Sequence, residues 1–149
     1  MSRKRAQAII IRDGKMLFEY GNEGDREWRF LLGGGIDEEE TIKDAVIREV
    51  KEEAGVHGKI LFRLSQETRQ DHFTFLVDIE EQECEVGSDP EYEDISEKQH
   101  LQELVWIPVN TRDNISEEEL KYLEILYKDC KKNEYYPKWF EILDDIFNK

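Results

Sequence analysis

Three consecutive glycines followed by a carboxylate-rich helix constrain this chain more than any other feature. Residues 33–35 are Gly-Gly-Gly at the end of a short apolar strand, and an acidic loop leads from them into a helical pattern over Thr41–Ala54. Thr41 can cap this helix with Asp44 three residues on, and Gly55 follows where helix ends favour glycine. The pattern predicts a strand, a glycine turn and an amphipathic helix in close succession.

The predicted helix places three carboxylates on one face. Glu49, Glu52 and Glu53 are spaced i, i+3 and i+4, so their side chains are neighbours and repel one another. A solvated acidic face would explain this spacing in a glutamate-rich chain. The alternative is a divalent cation, because Mg²⁺ prefers carboxylate oxygens and keeps some of its waters. Arg48 adds one compensating positive charge beside Glu49.

The glycine turn differs from the common phosphate and calcium loops. A P-loop needs Gly-Lys-Ser/Thr at the turn, and the lysine is absent here. An EF-hand loop alternates acidic positions around a central glycine, and that pattern is absent too. A glycine-rich turn that offers backbone carbonyls beside three carboxylates is consistent with a multi-metal site for phosphate chemistry.

The charge balance limits the partners. The 149 residues include 36 Asp and Glu against 21 Lys and Arg, which gives a formal charge of −15. Such a field repels phosphate polymers and anionic surfaces, so we expect neither a nucleic-acid polymer nor a membrane as partner. A small phosphorylated substrate would need a metal ion to mediate its binding.

The remaining sequence predicts one domain, residues 1–149, of strands mixed with helices, because no repeat or flexible linker divides it. The Asp13-Gly14 pair predicts a tight hairpin turn. We predict strands at 8–11, 15–20, 28–32, 60–65, 72–79 and 104–107, polar loops at 21–27 and 80–103, and helices at 41–54, 116–131 and from Pro137 onward. Ser116 and Glu119 form a capping box for the second helix.

Two further features concern the surroundings of the domain. Trp139, Phe140, Leu143, Ile146 and Phe147 recur at helical spacing and predict core packing or a contact with a second copy, so a homodimer stays open. Cys84 and Cys130 are too few for a disulfide framework and lack metal-ligand spacing, so we predict free thiols and a cytoplasmic location.

The glycine turn and helix together match a known motif. Its nine specified positions are filled by Gly34, Glu40, Arg48-Glu49-Val50, Glu52-Glu53 and Gly55-Val56, with gaps of five, seven, one and one residues. The chain therefore resembles the Nudix (MutT-like) hydrolase family. The box covers residues 34–56, and the flanking strands extend the resemblance to most of the chain except the C-terminal helices.

The resemblance implies a fold and an activity. The fold is an α/β/α sandwich with a mixed β-sheet, to which this chain adds C-terminal helices. The activity is metal-dependent hydrolysis of a diphosphate linkage in a nucleoside diphosphate derivative, namely a nucleoside triphosphate, a nucleotide sugar or a dinucleoside polyphosphate.

The resemblance also implies roles for the box residues. Glutamates equivalent to Glu49, Glu52 and Glu53 hold Mg²⁺ or Mn²⁺ in that family, and the main-chain carbonyl expected to complete the metal shell is that of Gly33. The arginine equivalent to Arg48 orients the cluster. The structural positions of the box are Gly34, Glu40 and Gly55, of which the glutamate supports the junction between loop and helix.

Three departures from the family pattern lie outside the nine positions. Leu32 replaces a common proline, Asp37 replaces a common glutamate, and Glu39 replaces a common glycine. We expect these changes to affect the loop conformation and the fit of the substrate more than catalysis.

The general base is predicted to be either a helix carboxylate or an acid of the later loop. The loop candidates are Glu91, Glu93, Glu97 and Glu103. Glu97 and Glu103 are favoured, because Nudix proteins often place such a glutamate shortly before the strand that here contains Trp106.

Aromatic residues outside the box are candidates for stacking on a nucleobase, because every base has a π-face. These are Tyr20, Trp28, Phe30 and Phe73, although packing in the core or on the sheet is the favoured interpretation of Phe30 and Phe73. Arg29 could reach a phosphate or form a surface ion pair instead.

Two other functions stay open at this point. The chain could be a catalytically silent Nudix-fold domain that binds or regulates, although its intact box argues against this. It could also be an unrelated acidic interaction protein whose helix carboxylates are solvated.

Overall fold

A pair of four-stranded sheets forms the centre of the structure. The computed structural model describes residues 4–85, 103–110 and 112–148. The strands are β1 (Arg5–Ile9), β2 (Ile11–Arg12), β3 (Lys15–Glu23), β4 (Arg26–Phe30), β5 (Leu32–Gly35), β6 (Lys59–Arg63), β7 (His72–Asp78) and β8 (Glu103–Pro108). The helices are α1 (Ile42–Ala54), α2 (Glu117–Lys132) and α3 (Phe140–Phe147), with a 3₁₀ turn at Arg112–Asn114.

The two sheets differ in strand direction. The first has the order β5-β1-β7-β6, in which β1 and β7 are parallel and the other pairs antiparallel. The second is antiparallel, with the order β2-β3-β4 and with β8 also paired to β3. The predicted mixed sheet is therefore confirmed.

Strand β1 separates two cores, because successive side chains of a strand point to opposite faces. Ala6 and Ala8 belong to the core that buries one face of α1. Ile9 belongs to the core under α2 and α3. Helices thus cover the sheets on both sides, and the predicted α/β/α sandwich with additional C-terminal helices is confirmed.

The first two predicted helices form with the predicted caps. The Thr41 hydroxyl accepts from the backbone N–H of Asp44 at 3.0 Å, and Gly55 ends α1 with φ 69°. Ser116 and Glu119 form the capping box at the start of α2. These ends are local properties, so the sequence predicts them well.

Three strand predictions are wrong. The single strand predicted at 8–11 is divided, because β1 ends at Ile9 and β2 begins at Ile11 in the other sheet. Residues 21–27 are not a loop, because β3 continues to Glu23 and pairs with β4 through a tight turn at Gly24 and Asp25. The single strand predicted at 28–32 is two strands, since the chain leaves one sheet at Leu31 and enters the other. The error at 21–27 arises because polar residues on a solvated strand pair hide the alternation that a half-buried strand shows.

The C-terminal aromatic residues pack inside the chain. The last helix begins at Phe140 and not at Pro137, whose carbonyl accepts from the N–H of Phe140 at 2.9 Å. Leu143 is fully buried, and the ring of Tyr127 stacks on Phe140 at 5.3 Å. The prediction of core packing is confirmed for these residues.

Other predictions are confirmed in part. The β2–β3 hairpin turns at Asp13 and Gly14, both with positive φ as a two-residue turn requires. Cys84 and Cys130 are free thiols. The predicted loop at 80–103 lies outside the described residues from 86 to 102, and β8 begins at Glu103. In the described part of the chain, no helix has the length and apolarity to cross a membrane.

We predict that Asp129 fixes α2 to the first sheet. This buried carboxylate accepts from the N–H and from the hydroxyl of Ser65, each at 2.7 Å. Asp129→Ala should lower the free energy of unfolding by about 2–3 kcal/mol, because it leaves the Ser65 N–H unpaired. Ser65→Ala removes only one of the two bonds and should cost less. Equal losses in urea unfolding of the two variants would contradict this role.

Candidate active site

The Arg48 guanidinium connects the glycine turn, the acidic loop and α1. It donates to Glu40 through Nε at 2.7 Å and Nη2 at 2.9 Å, and Nη2 also donates to the Gly35 carbonyl at 3.1 Å. Its Nη1 donates to Glu49 at 2.9 Å and to Glu52 at 3.2 Å. Arg48 therefore holds two of the three helix carboxylates in place.

Glu40 fixes the entry to α1 as the box pattern implies. It accepts from the backbone N–H of Asp37 at 3.1 Å as well as from Arg48. The hydrogen bond from Arg48 lowers the pKa of Glu40, and the same bond raises the pKa of Arg48. This ion pair stays charged at neutral pH and ties the loop to the helix.

Glu53 lies on a different side of the cluster and faces β3. Its Oε1 accepts from the N–H of Gly33 at 2.7 Å. Burial, a hydrogen bond with Glu19 and the nearby charge of Glu49 raise the pKa of Glu53 to about 11. Carboxylates from a strand and a helix therefore meet in a half-buried position, and no positive charge of the described residues contributes to the pKa of Glu53.

Two glycines of the turn make this approach possible. A side chain at Gly33, where φ is 155°, would overlap the Ala6 carbonyl. A Cβ at Gly34 would lie 2.5–2.8 Å from the carboxylate of Glu49. Only glycine lets α1 bring its carboxylates against the strand backbone at these two positions.

One departure from the family pattern has a structural consequence. Glu39 stands where glycine is common, and its φ is 66°. A residue with a Cβ in this left-handed region is strained by about 1–2 kcal/mol. The acidic loop thus keeps its turn at an energetic cost that a glycine would avoid.

Glu19 is the site residue that sequence reasoning missed. It lies on β3 opposite Leu104 of β8 and forms the hydrogen bond with Glu53. The signal was the period of the strand, because Leu17 is buried in the core under α1 and Glu19 follows two residues later on the same face. A carboxylate on the helix-facing side of a strand needs a partner.

The carboxylate oxygens of the site are the type of ligand that a divalent cation prefers. Within the described ranges, no three His, Cys, Asp or Glu side chains are arranged as a ready metal cage. Oxygen ligands are nonetheless what Mg²⁺ prefers, and a cation would neutralise the Glu53 and Glu19 carboxylates where burial favours a proton. Glu49, Glu52 and Glu53 are the predicted holders. Gly33 donates its N–H to Glu53, and the predicted role of its carbonyl as a metal ligand stays a prediction.

A cavity of about 260 Å³ lies between β1, β4 and the start of α2. Its lining includes Arg5, Gln7, Arg29, Phe30 and Tyr122. Arg29 donates to Glu119 at 2.9 and 2.5 Å, which is the ion pair considered as its alternative role. Phe30 is 51% exposed at the cavity on β4, so it does not belong to the core, and its packing on the sheet stays a prediction.

The other predicted substrate contacts lie elsewhere. Trp28 packs against Gly21 on the neighbouring strand. The Tyr20 hydroxyl bonds to Glu27, which raises the pKa of Tyr20. Phe73 packs against the core under α1, with the Arg63 guanidinium 4.9 Å above its ring, as the packing interpretation predicts.

The loop candidates for the general base are divided. Glu91, Glu93 and Glu97 lie outside the described residues. Glu103 is opposite Tyr20 in the β3–β8 pair, whereas Glu19 is opposite Leu104. Because paired residues share a face and neighbours alternate, Glu103 points to the sheet face opposite that of Glu19. The structure does not bring Glu103 to the helix carboxylates.

Comparisons with known proteins agree with this geometry. The family model described as NUDIX domain matches residues 2–126. Comparison with curated protein sequences gives no match.

Solved structures share the fold at low sequence identity. A NUDIX-family hydrolase from Clostridium perfringens is 18% identical with a TM-score of 0.62, over 85% of this chain and 97% of that one. An ADP-ribose pyrophosphatase from Streptococcus suis is 16% identical with a TM-score of 0.55, over 100% and 94%. A UDP-X diphosphatase is 17% identical with a TM-score of 0.61, over 89% of this chain but only 64% of its own.

We predict that Glu53 makes stability depend on pH in metal-free buffer. Folded Glu53 keeps its proton up to about pH 11, whereas unfolded glutamate loses it near about 4.3. Unfolding therefore releases a proton between these values, and the free energy of unfolding falls as pH rises, by at most about 1.4 kcal/mol per unit.

Urea unfolding from about pH 5 to 8 checks this prediction. Glu53→Gln should give a shallower slope and higher stability at pH 8 than the wild type. Glu38→Gln, an exposed loop change of the same charge, is the control and should keep the wild-type slope. A common slope in all three proteins would show that Glu53 is ionised in the folded state.

Proposed function

The chain belongs to the NUDIX domain family and is a pyrophosphohydrolase acting on diphosphate bonds, and we propose that it requires Mg²⁺, with Mn²⁺ as a substitute, held by the carboxylates of α1. One observation carries the proposal. Glu53 is half-buried beside Glu19 and Glu49, and among the described residues the hydrogen bond that stabilises its charge comes from the Gly33 N–H. A divalent cation would remove the cost of ionising Glu53 there.

The α1 residues divide the work of the site. Glu49, Glu52 and Glu53 would hold the metal, and Glu19 would complete the oxygen donors from β3. Bound divalent ions make water a nucleophile near neutral pH and offset charge on phosphate oxygens. Arg48 fixes the position of Glu49 and Glu52, and Glu40 in turn fixes Arg48. The glycine turn keeps the backbone close enough for Gly33 to bind Glu53.

The substrate is proposed to be a nucleoside triphosphate, a nucleotide sugar or a dinucleoside polyphosphate. The cavity beside β4 would take the part of the substrate outside the diphosphate, with Phe30 as the exposed aromatic face and Arg29 on its wall. Trp28 and Tyr20 remain proposed contacts whose variants should raise KM, whereas Phe73 packs against the core. A panel of the three substrate classes, assayed for products with Mg²⁺, identifies the class. The proposed location is the cytoplasm, where all three classes of nucleotide occur.

We predict that chelation abolishes hydrolysis and that returning Mg²⁺ restores it. Glu52→Gln and Glu53→Gln should each lower turnover by about 100-fold or more while the fold stays intact. Each substitution removes the negative charge of a proposed metal ligand and keeps the shape of the side chain. Glu38→Gln is the control and should keep wild-type turnover.

Product release by the panel assay checks these variants, and circular dichroism checks their fold. Full activity in chelated protein would overturn the metal requirement. Nucleotide binding without product from any substrate would instead favour a silent binding domain. A chain that binds neither metal nor nucleotide would be the acidic interaction protein considered above.

A second prediction concerns the general base. Glu97→Gln should lower turnover by about 100-fold, the usual range for a lost base, with little change in KM. Glu103→Gln should stay within about tenfold of wild type, since Glu103 points to the other sheet face. If Glu97→Gln also keeps its turnover, the base belongs to the box helix, and Glu53→Gln and Glu49→Gln would then be compared by their pH profiles.

A further inference from the structure

We propose that Arg5 binds a phosphate group of the substrate at the cavity between β1, β4 and α2. The proposal deepens the function given above and rests on it, because it assigns the anion-binding side chain of the same substrate. It starts from the cavity, whose three arginines differ in their partners.

Two of these arginines are already neutralised. Arg29 is paired with Glu119, and Arg69 donates to Glu118 through Nε at 2.8 Å and Nη2 at 3.0 Å. Both glutamates lie in the first turn of α2. These two guanidinium groups therefore shape the wall of the cavity and have little charge left for a ligand.

Arg5 differs, because its hydrogen bonds within the described residues go to neutral acceptors. Its Nη2 donates to the Leu31 carbonyl at 3.0 Å, and its Nε lies 3.4 Å from the Oε1 of Gln7. Burial lowers the pKa of the neighbouring His72, and the positive charges of Arg5 and Arg69 lower it further. In a chain of formal charge −15, this wall is a local positive region.

The floor of the cavity holds Arg5 in a fixed direction. Gln7 is 4% exposed, and its Nε2 donates to the Thr74 hydroxyl at 2.9 Å and to the Tyr122 hydroxyl at 2.6 Å. With both Nε2 protons used, its Oε1 is left to accept from Arg5. A guanidinium that is oriented before binding loses less freedom when it meets a ligand.

The position of Arg5 relates it to the helix carboxylates. Its partner Leu31 stands two residues before Gly33, whose N–H binds Glu53. Two residues of extended chain span about 7 Å, so the Leu31 and Gly33 backbones are close. Arg5 lies with Gln7 on the β1 face that α2 covers, opposite to the face under α1. A nucleotide that contacts both groups would therefore pass around β5, the end strand of its sheet. A guanidinium fork also matches two phosphate oxygens in geometry. The ligand chemistry is therefore a phosphate ester or anhydride.

The test measures binding without metal and without turnover. Calorimetry in chelator uses α,β-methylene ADP and inorganic pyrophosphate as probes, with wild type, Arg5→Met and Arg5→Lys. We expect the Kd of the tighter probe to rise about tenfold or more in Arg5→Met, with Arg5→Lys between the two. Arg26→Met is the matched control, because Arg26 is exposed at the start of β4 and away from the cavity. It should change Kd by no more than about twofold.

Steady-state kinetics give the second measurement. Arg5→Met should raise KM about tenfold and leave kcat within about threefold, since the phosphate contact is made in the ground state as well as in the transition state. Thermal unfolding checks that the variants fold, and Arg5→Lys serves if Arg5→Met does not.

Each outcome decides between the two proposals. A Kd for Arg5→Met within about twofold of wild type, or a wild type that binds neither probe, overturns the role of Arg5. A wild type that binds a probe through Arg5 but hydrolyses no substrate overturns the proposed function and leaves the anion site standing. Hydrolysis with an unchanged KM in Arg5→Met overturns the role of Arg5 and leaves the proposed function standing.

Discussion

The contacts of Arg48 are the interaction on which the site depends. One guanidinium binds a carboxylate of the entry loop, a carbonyl of the glycine turn and two carboxylates of its own helix. Like charges at i, i+3 and i+4 weaken a helix, so placing Glu49, Glu52 and Glu53 together costs stability that a cation beside them offsets. Arg48 compensates the first two. The third, Glu53, accepts from the N–H of Gly33, and this difference from Glu49 and Glu52 is the observation on which the proposed cation site rests.

The glycine turn allows α1 to lie close to the backbone of the sheet. Gly34 admits the Glu49 carboxylate to a place that a Cβ would fill, and Gly33 sits against β1 where any side chain would overlap the backbone. The short, buried alanines of β1 continue the same principle under the helix, since Ala6 and Ala8 leave room for α1 to lie close to the sheet. Packing and chemistry thus require small residues for the same reason.

The sequence predicts those parts of the fold and site that depend on local pattern. The caps of α1 and α2, the Asp13-Gly14 hairpin and the contacts of Arg48 with Glu40 and Glu49 all follow from residues that are close in the chain. Glu19 could not be found in this way, because its partner Glu53 is 34 residues away and only the pairing of β3 brings them together. The β3–β4 pairing was missed for a related reason, since its polar residues face solvent and carry no alternation. The exposure of Phe30 likewise depends on where β4 ends.

Charge is divided across β5 in a way that fits an anhydride substrate. The whole chain repels phosphate, and the α1 carboxylates repel it most strongly until a divalent cation is bound. The wall with Arg5 needs no cation, because Glu118 and Glu119 neutralise its other two arginines and leave one charge. A substrate can therefore be attracted to the cavity first, with its diphosphate then lying toward Gly33 and the helix. Metal would act on the bond to be broken, and Arg5 on the phosphate that positions it. In this proposal a strongly acidic protein binds an anion through one oriented side chain, Arg5. Its hydrogen bonds within the described residues go to neutral acceptors, and it lies apart from the α1 carboxylates that Arg48 contacts.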